Sequence, residues 1–288
     1  MKPTEEWLTA INEKFRREDV PPKARPFLAL EAFSKEFNCS IAIPSEAANL
    51  IFDWFYKNTK YGSHNVGPLY RGVYYFDSCF WSVYILNQFG ECQINAFDSL
   101  ESMPVKFREQ IKANKKQSWD FVLLWVNCLD YAWGYEDIIG GSKFQGLALN
   151  FIKGADKELR ATTSLLLQDN PEAKAIESAR MSVEMFLKAT LIIANNWDEN
   201  EIKNKIGHNL IKAAQEAFNS TQSQEIKAIE KFLSFYPEIH ERYAGNDWKA
   251  RDLWKGYCIA QTVAATFTRL HSERNTRQQI LQKRSVSG

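Results

Sequence analysis

Arg180, Glu184 and Lys188 stand four residues apart in P-E-A-K-A-I-E-S-A-R-M-S-V-E-M-F-L-K-A-T-L-I-I-A-N-N, from Pro171 to Asn196. On a helix that spacing stacks them along one stripe, so the carboxylate can pair with a cation on either side. The competing chemistry is a cationic patch in which Arg180 and Lys188 hold a phosphate-bearing ligand; Glu184 between them favours intrahelical pairing. His208 opens the next helical stretch in G-H-N-L-I-K. There an imidazole can touch a ligand in a cleft between helices, but capping the helix or bonding a neighbouring segment is the commoner use. Arg242 and Tyr243 follow Tyr236-Pro237 in a loop. Guanidinium and phenol together can stack on a base, whereas most such loops simply anchor themselves to the body. Arg71, Tyr75 and Trp81 belong to an aromatic cluster with Tyr70 and Tyr74. Because strand faces alternate, some of these side chains must point away from the core and become surface candidates.

Other chemistries lack their residues. There is no G-x-x-x-x-G-K-S/T or G-x-G-x-x-G phosphate loop and no G-x-S-x-G elbow. Asp77, Asp98, Asp130 and Asp137 are isolated in sequence and read as solvated loop acids. The five cysteines include no C-x-x-C pair, and the four histidines are far apart. We therefore expect reduced thiols, no metal and no cofactor. A net charge of +1 gives no overall field toward nucleic acid or membranes, so any basic surface must be local. No apolar run approaches membrane-spanning length and M-K-P-T-E-E-W has no signal-peptide core, which predicts a cytoplasmic protein without membrane contact.

The elements that must position these residues follow from periodicity. Thr4–Arg17 (Trp7, Leu8, Ile11, Phe15), Arg25–Phe37 and a segment after Pro44-Ser45 read as amphipathic helices. Leu69–Asp77, Cys79–Asn87 and Glu91–Phe97 are aromatic and β-branched, separated by Asp77-Ser78 and Gln88-Phe89-Gly90, which predicts a three-stranded antiparallel meander at 69–97. The N-terminal helices are expected to cover one of its faces. Ser102–Ala113 reads as a short helix. Trp119–Trp133 is almost wholly apolar, a buried helix by its length, with a strand through Phe121–Leu129 as the alternative. Gly134–Gly141 then suggests a domain boundary. Beyond it the pattern is helical: Leu147–Gln168, Pro171–Asn196 with Asn170 as cap, a linker from Trp197 to Ile206, Gln224–Phe235, and Trp248–Glu273. Met181, Met185 and Ile192 form a second apolar face on the Pro171–Asn196 helix, a seam for domain packing or a homodimer. The fold expected is α+β and mostly helical: an N-terminal α+β domain (1–143), a helical bundle (144–275) and a flexible basic tail (276–288).

Three pieces carry a family resemblance: A-R-M-S-V-E-M-F-L-K-A-T-L (Ala179–Leu191), G-H-N-L-I-K (Gly207–Lys212) and H-E-R-Y (His240–Tyr243) ahead of a long final helix. In that order they resemble the HEPN domain, over roughly Phe144–Arg274. The resemblance implies an up-and-down helical bundle of the kind found in nucleotidyltransferase partners, RNases and defence proteins. HEPN RNases use an Arg-x4-6-His motif on the final helix, where imidazole exchanges a proton and guanidinium stabilises phosphate charge. That spacing does not occur here: Arg269 and His271 are two apart, and His240 precedes Arg242. The expected function is thus a non-catalytic binding or regulatory protein, recognising a nucleotide, RNA or protein partner in a stress or defence setting. An RNase-type effector with an unorthodox site is the alternative.

Overall fold

Side-chain caps start two of the chain's first three helices. Thr4 Oγ1 accepts the Trp7 amide at 3.2 Å ahead of α1 (Glu5–Arg17), and Ser45 Oγ accepts the Ala48 amide at 3.3 Å ahead of α3 (Glu46–Asn58). Each such cap stabilises by about 1 kcal/mol. Between them α2 (Arg25–Glu36) carries Pro26 in its first turn, where no amide donor is needed. Leu8, Phe15, Leu30, Phe33, Ile51 and Phe55 close a small core of their own. This computed structural model describes residues 2–60, 67–87, 93–238 and 247–287. The chain divides into two compact units, Met1–Gly67 and Pro68–Gly288.

The second unit begins with a hairpin. Strands β1 (Tyr70–Phe76) and β2 (Cys79–Ile85) pair antiparallel, from Tyr70 opposite Ile85 to Phe76 opposite Cys79. Asp77 and Ser78 both take positive φ, 52° and 62°, the two-residue turn whose twist matches that of the flanking strands. The expected third strand does not form within the described residues. Its start at 91–92 lies outside them, and Asn95 Oδ1 instead accepts the Phe97 amide at 3.1 Å, capping a 3-10 turn over Ala96–Leu100.

The helices then follow as α4 (Val105–Ala113), α5 (Lys115–Gly140), α6 (Gly146–Leu166), α7 (Lys174–Asn195), α8 (Glu199–Lys205), α9 (Leu210–Thr221), α10 (Gln224–Glu230), α11 (Ala250–His271) and α12 (Thr276–Ser287). Mostly helical with one small antiparallel sheet, the chain is α+β. The apolar run Trp119–Trp133 lies within α5, so the strand alternative is set aside. The helix continues through Gly134, whose missing side chain admits α11: a Cβ there would sit 2.7 Å from Thr268 Cβ. The helix is therefore unbroken here, with Gly134 and Ile138 buried, and the compact units part at Gly67–Pro68, where a boundary near 143 was expected.

That division also reassigns the sheet. It packs against α5, α6 and α11 within the second unit, where we expected cover from the N-terminal helices. Tyr70 meets Tyr131 edge-on at 5.1 Å, and Tyr74 meets Phe121 and Trp254. Gly72 lets the strand approach this closely, since a Cβ would lie 2.7 Å from Cys128 Sγ and 2.9 Å from Tyr257 Oη. Tyr257 accepts the Val73 amide at 3.0 Å, and both Tyr257 and Tyr70 donate to Gln261 Oε1. These buried bonds fix the sheet on the bundle.

Three further expectations change. Helix α7 starts at Lys174, after Asn170 and Pro171, with no side-chain cap. The linker Trp197–Ile206 contains α8, closed by a reciprocal cap between Asp198 and Glu201. The tail from 276 is helical in α12, because buried Asp130 accepts the Thr276 and Arg277 amides at 2.8 and 3.2 Å. Asp130, read as a solvated acid, is 1% exposed. No described helix is long and apolar enough to cross a membrane.

Candidate functional site

Helix α7 runs along α6, α11 and α9, and apolar residues at Ile176, Ala179, Val183, Phe186, Leu187 and Leu191 bury its main face. Arg180, Glu184 and Lys188 lie beside that face, and they too are buried, at 5, 3 and 7% exposure. Intrahelical pairing occurs as the spacing indicated. Arg180 Nη1 donates to Glu184 Oε2 at 2.9 Å and Lys188 Nζ to Glu184 Oε1 at 2.7 Å.

Two further donors of Arg180 reach across the fold, Nε to the Pro237 carbonyl at 3.0 Å and Nη2 to the His208 carbonyl at 2.8 Å. The guanidinium thus ties α7 to two distant segments. His208 follows Gly207, which sits at φ +58°, and precedes Asn209, whose side chain caps α9 through the Lys212 amide at 2.9 Å. With Asn209 as the cap, the His208 ring is released to bond elsewhere. Its Nδ1 lies 2.8 Å from Glu184 Oε1, while 61% of the side chain remains exposed. An ionised carboxylate only accepts, so Nδ1 carries a proton and Nε2 faces away from Glu184, with no partner among the described residues. Burial works to raise the Glu184 pKa, but its bonds to Lys188 and His208 outweigh that and hold the carboxyl below its ordinary range.

A cavity of about 490 Å³ opens beside this group, lined by Arg180, His208, Asn209, Leu233, Tyr236 and Glu238 among others. Among its lining residues Arg180 is committed to Glu184 and to the Pro237 and His208 carbonyls, Glu238 is acidic, and the N-terminus of α9 adds the positive end of its dipole. The arrangement offers a ligand in the cavity one oriented imidazole beside the amide end of α9.

The other sequence candidates fare differently. Lys188 is buried on Glu184 and does not line the cavity. Arg242 and Tyr243 lie outside the described residues. The sheet cluster splits by register. Arg71 and Tyr75 share one face, with Arg71 donating to Ser82 Oγ at 2.9 and 2.7 Å and Tyr75 packed on Phe80. Trp81 lies opposite Tyr74 on the other face, near Phe107 of α4, so the three form no single surface. Of the second apolar face on α7, Ile192 is buried and Met185 lies over Gly154 of α6. Most of the expected dimer seam is therefore covered within the unit.

A second charged cluster escaped the sequence reading. Arg269 of α11 reaches Asp130 at 3.2 Å and Glu225 at 2.5 Å, and Thr266 adds a hydroxyl to Glu225 at 2.8 Å. One signal was readable: Asn127 and Asp130 stand three apart inside an apolar run, hence on one helix face.

Set beside known proteins, the chain matches no family model, no curated protein and no solved structure.

Proposed function

We propose that this chain is a non-catalytic binding or regulatory protein whose second unit contains a HEPN-like bundle. The bundle takes a nucleotide or RNA phosphate in the cavity beside Arg180 and His208. One observation supports this reading above the others: a buried carboxylate between two cations orients an exposed imidazole at the wall of a cavity that the N-terminus of α9 also borders. A phosphate placed there would meet Nε2 once that nitrogen is protonated, together with the amide end of α9. Titration calorimetry with AMP, ATP and a short RNA tests it. Binding of at least one, weakened about tenfold by His208→Ala, is the expected result for a lost charge-assisted bond. No binding by any of them, or equal binding by the variant, sinks the proposal.

The same geometry supports an RNase-type effector as a second reading, because a carboxylate-held imidazole is also how a general base is oriented. Cleavage of total RNA by the purified chain, lost in His208→Ala, would put this reading in place of the first.

A further inference from the structure

A separate cleft of about 350 Å³ lies between α10, α11 and α12, sharing no lining residue with the cavity beside His208. Its size falls at the lower end of small-molecule sites, about 300–1,000 Å³, and its build matches theirs: apolar walls with a few placed polar groups. Ile229, Phe232, Cys258 and Ile259 supply apolar wall, and Glu225, Lys255 and Arg277 supply charge. Phe232 is 47% exposed, an aromatic ring that folding of the unit has not covered.

The charges are not equivalent. Glu225 Oε2 takes Arg269 Nη2 at 2.5 Å, Arg269 Nε at 3.1 Å and the Thr266 hydroxyl at 2.8 Å, so that carboxylate is ion-paired. Arg277 is in no such pair among the described residues. Its backbone amide bonds Asp130 at 3.2 Å, but its guanidinium makes one long hydrogen bond among the described residues, 3.4 Å to Asn127 Oδ1. A guanidinium carries five N–H donors, so most of them point at no acceptor on a half-buried group. Burial first, and the neighbouring Arg269 cation second, lower its pKa against the smaller opposing effects of Glu225 and Asp130. Lys255, exposed on α11, stands over the Phe235 ring at 4.5 Å and adds a cation with no carboxylate partner among the described residues.

An apolar cleft with two cations that hold no carboxylate in an ion pair among the described residues calls for a ligand with an apolar body and an anionic head. We propose that the cleft binds a small amphipathic carboxylate, an acyl or aryl acid of medium length. Its apolar part packs on Ile229, Phe232 and Ile259, and its carboxylate pairs with Arg277. The planar fork of a guanidinium matches a carboxylate in two parallel hydrogen bonds, which a neutral or cationic head cannot form.

Octanoate, octan-1-ol and octyltrimethylammonium, below their aggregation limits, are suitable probes for the full chain. Octanoate is expected to bind and to shift the methyl resonances of Ile229 and Ile259. The alcohol and the ammonium should bind about tenfold more weakly, the loss anticipated for one charge-assisted pair. Arg277→Gln should weaken octanoate to the level of the alcohol. Ala228→Trp, at an exposed position of α10 that borders the cleft, should abolish binding while circular dichroism stays unchanged. Equal affinity for octanoate and octanol, or octanoate binding untouched by both substitutions, would overturn the proposal. Failure of octanoate to bind, with self-association weakened by Phe232→Ser, would overturn it in favour of a second copy of this chain on the same face.

Discussion

Replacing Glu184 with glutamine should cost the second unit about 3–5 kcal/mol, the usual penalty for stranding a buried charge. The side chain keeps its shape, so no cavity is made. What changes is charge: Arg180 and Lys188, 95 and 93% buried by their 5 and 7% exposures, lose the carboxylate they share at 2.9 and 2.7 Å. Arg180 keeps its bonds to the Pro237 and His208 carbonyls, whereas Lys188 has no other acceptor among the described residues. Most of the penalty should therefore come from Lys188. Adding Lys188→Met to Glu184→Gln should recover about 1–3 kcal/mol, the coupling expected between directly contacting groups. Urea unfolding reads both values, with an unchanged slope marking a change in stability alone. A pH series adds an independent check. Because the folded-state pKa of Glu184 is depressed, its contribution is complete above the unfolded value, about 4.3, and disappears as pH falls through the folded value. Wild type should lose that increment in acid, and Glu184→Gln should not. A loss under about 1 kcal/mol in the single variant, with no recovery in the double, would refute a buried triad and indicate charges screened by water.

Three further outcomes follow from other parts of the fold. Burial, assisted by the Lys143 cation, lowers the His271 pKa to about 4, and the ring sits between Phe144 and Phe267 with Nε2 unpartnered. Such a histidine stays neutral when folded but protonates when unfolded, so stability is complete above pH ~6.5 and falls by up to about 3 kcal/mol toward pH ~4. His271→Phe should flatten that slope in urea midpoints, and an unchanged slope would count against it. Gly72→Ala should destabilise by about 1–3 kcal/mol by forcing a methyl against Cys128 and Tyr257, with partial rescue by Cys128→Ala in thermal melts. Asp130→Asn should cost about 2–4 kcal/mol and speed hydrogen exchange at the Thr276 and Arg277 amides, since it weakens the Arg269 pair and the cap of α12 together; unchanged exchange there would remove Asp130 from that role.

Local rules were enough to read much of the fold. Thr4, Ser45 and the apolar periodicity marked the first three helices, and Asp77-Ser78 marked a hairpin because its spacing leaves two turn residues. Errors arose where one local pattern served two structures. Glu91–Phe97 alternates as a strand would, yet Asn95 uses its side chain to start a 3-10 turn. Gly134 reads as a breaker, but its lack of a side chain is what α11 requires for contact. Asp198-x-x-Glu201 was a legible capping box, hidden by the polar character of its surroundings. The sheet's true cover was not legible at all. Tyr70 finds Gln261 across 191 residues, and nothing in either neighbourhood announces the other.

The site shows the same limit in sharper form. A four-residue spacing specifies which charges on α7 are neighbours, because helix geometry is local. It cannot specify whether that stripe meets water, since Pro237, the His208 carbonyl and α9 arrive from elsewhere in the chain. Pairing and burial together change what the stripe does. In water Glu184 would simply neutralise its neighbours, each exposed pair contributing little. Buried, it must remain ionised to hold Arg180 and Lys188, and that constraint turns the His208 Nδ1–H inward and Nε2 outward. The outward atom is therefore set by three residues of α7 and not by His208 alone. If the cavity takes a phosphate as proposed, substitutions at Glu184 should weaken that binding through the orientation of His208, even where the folded chain tolerates them.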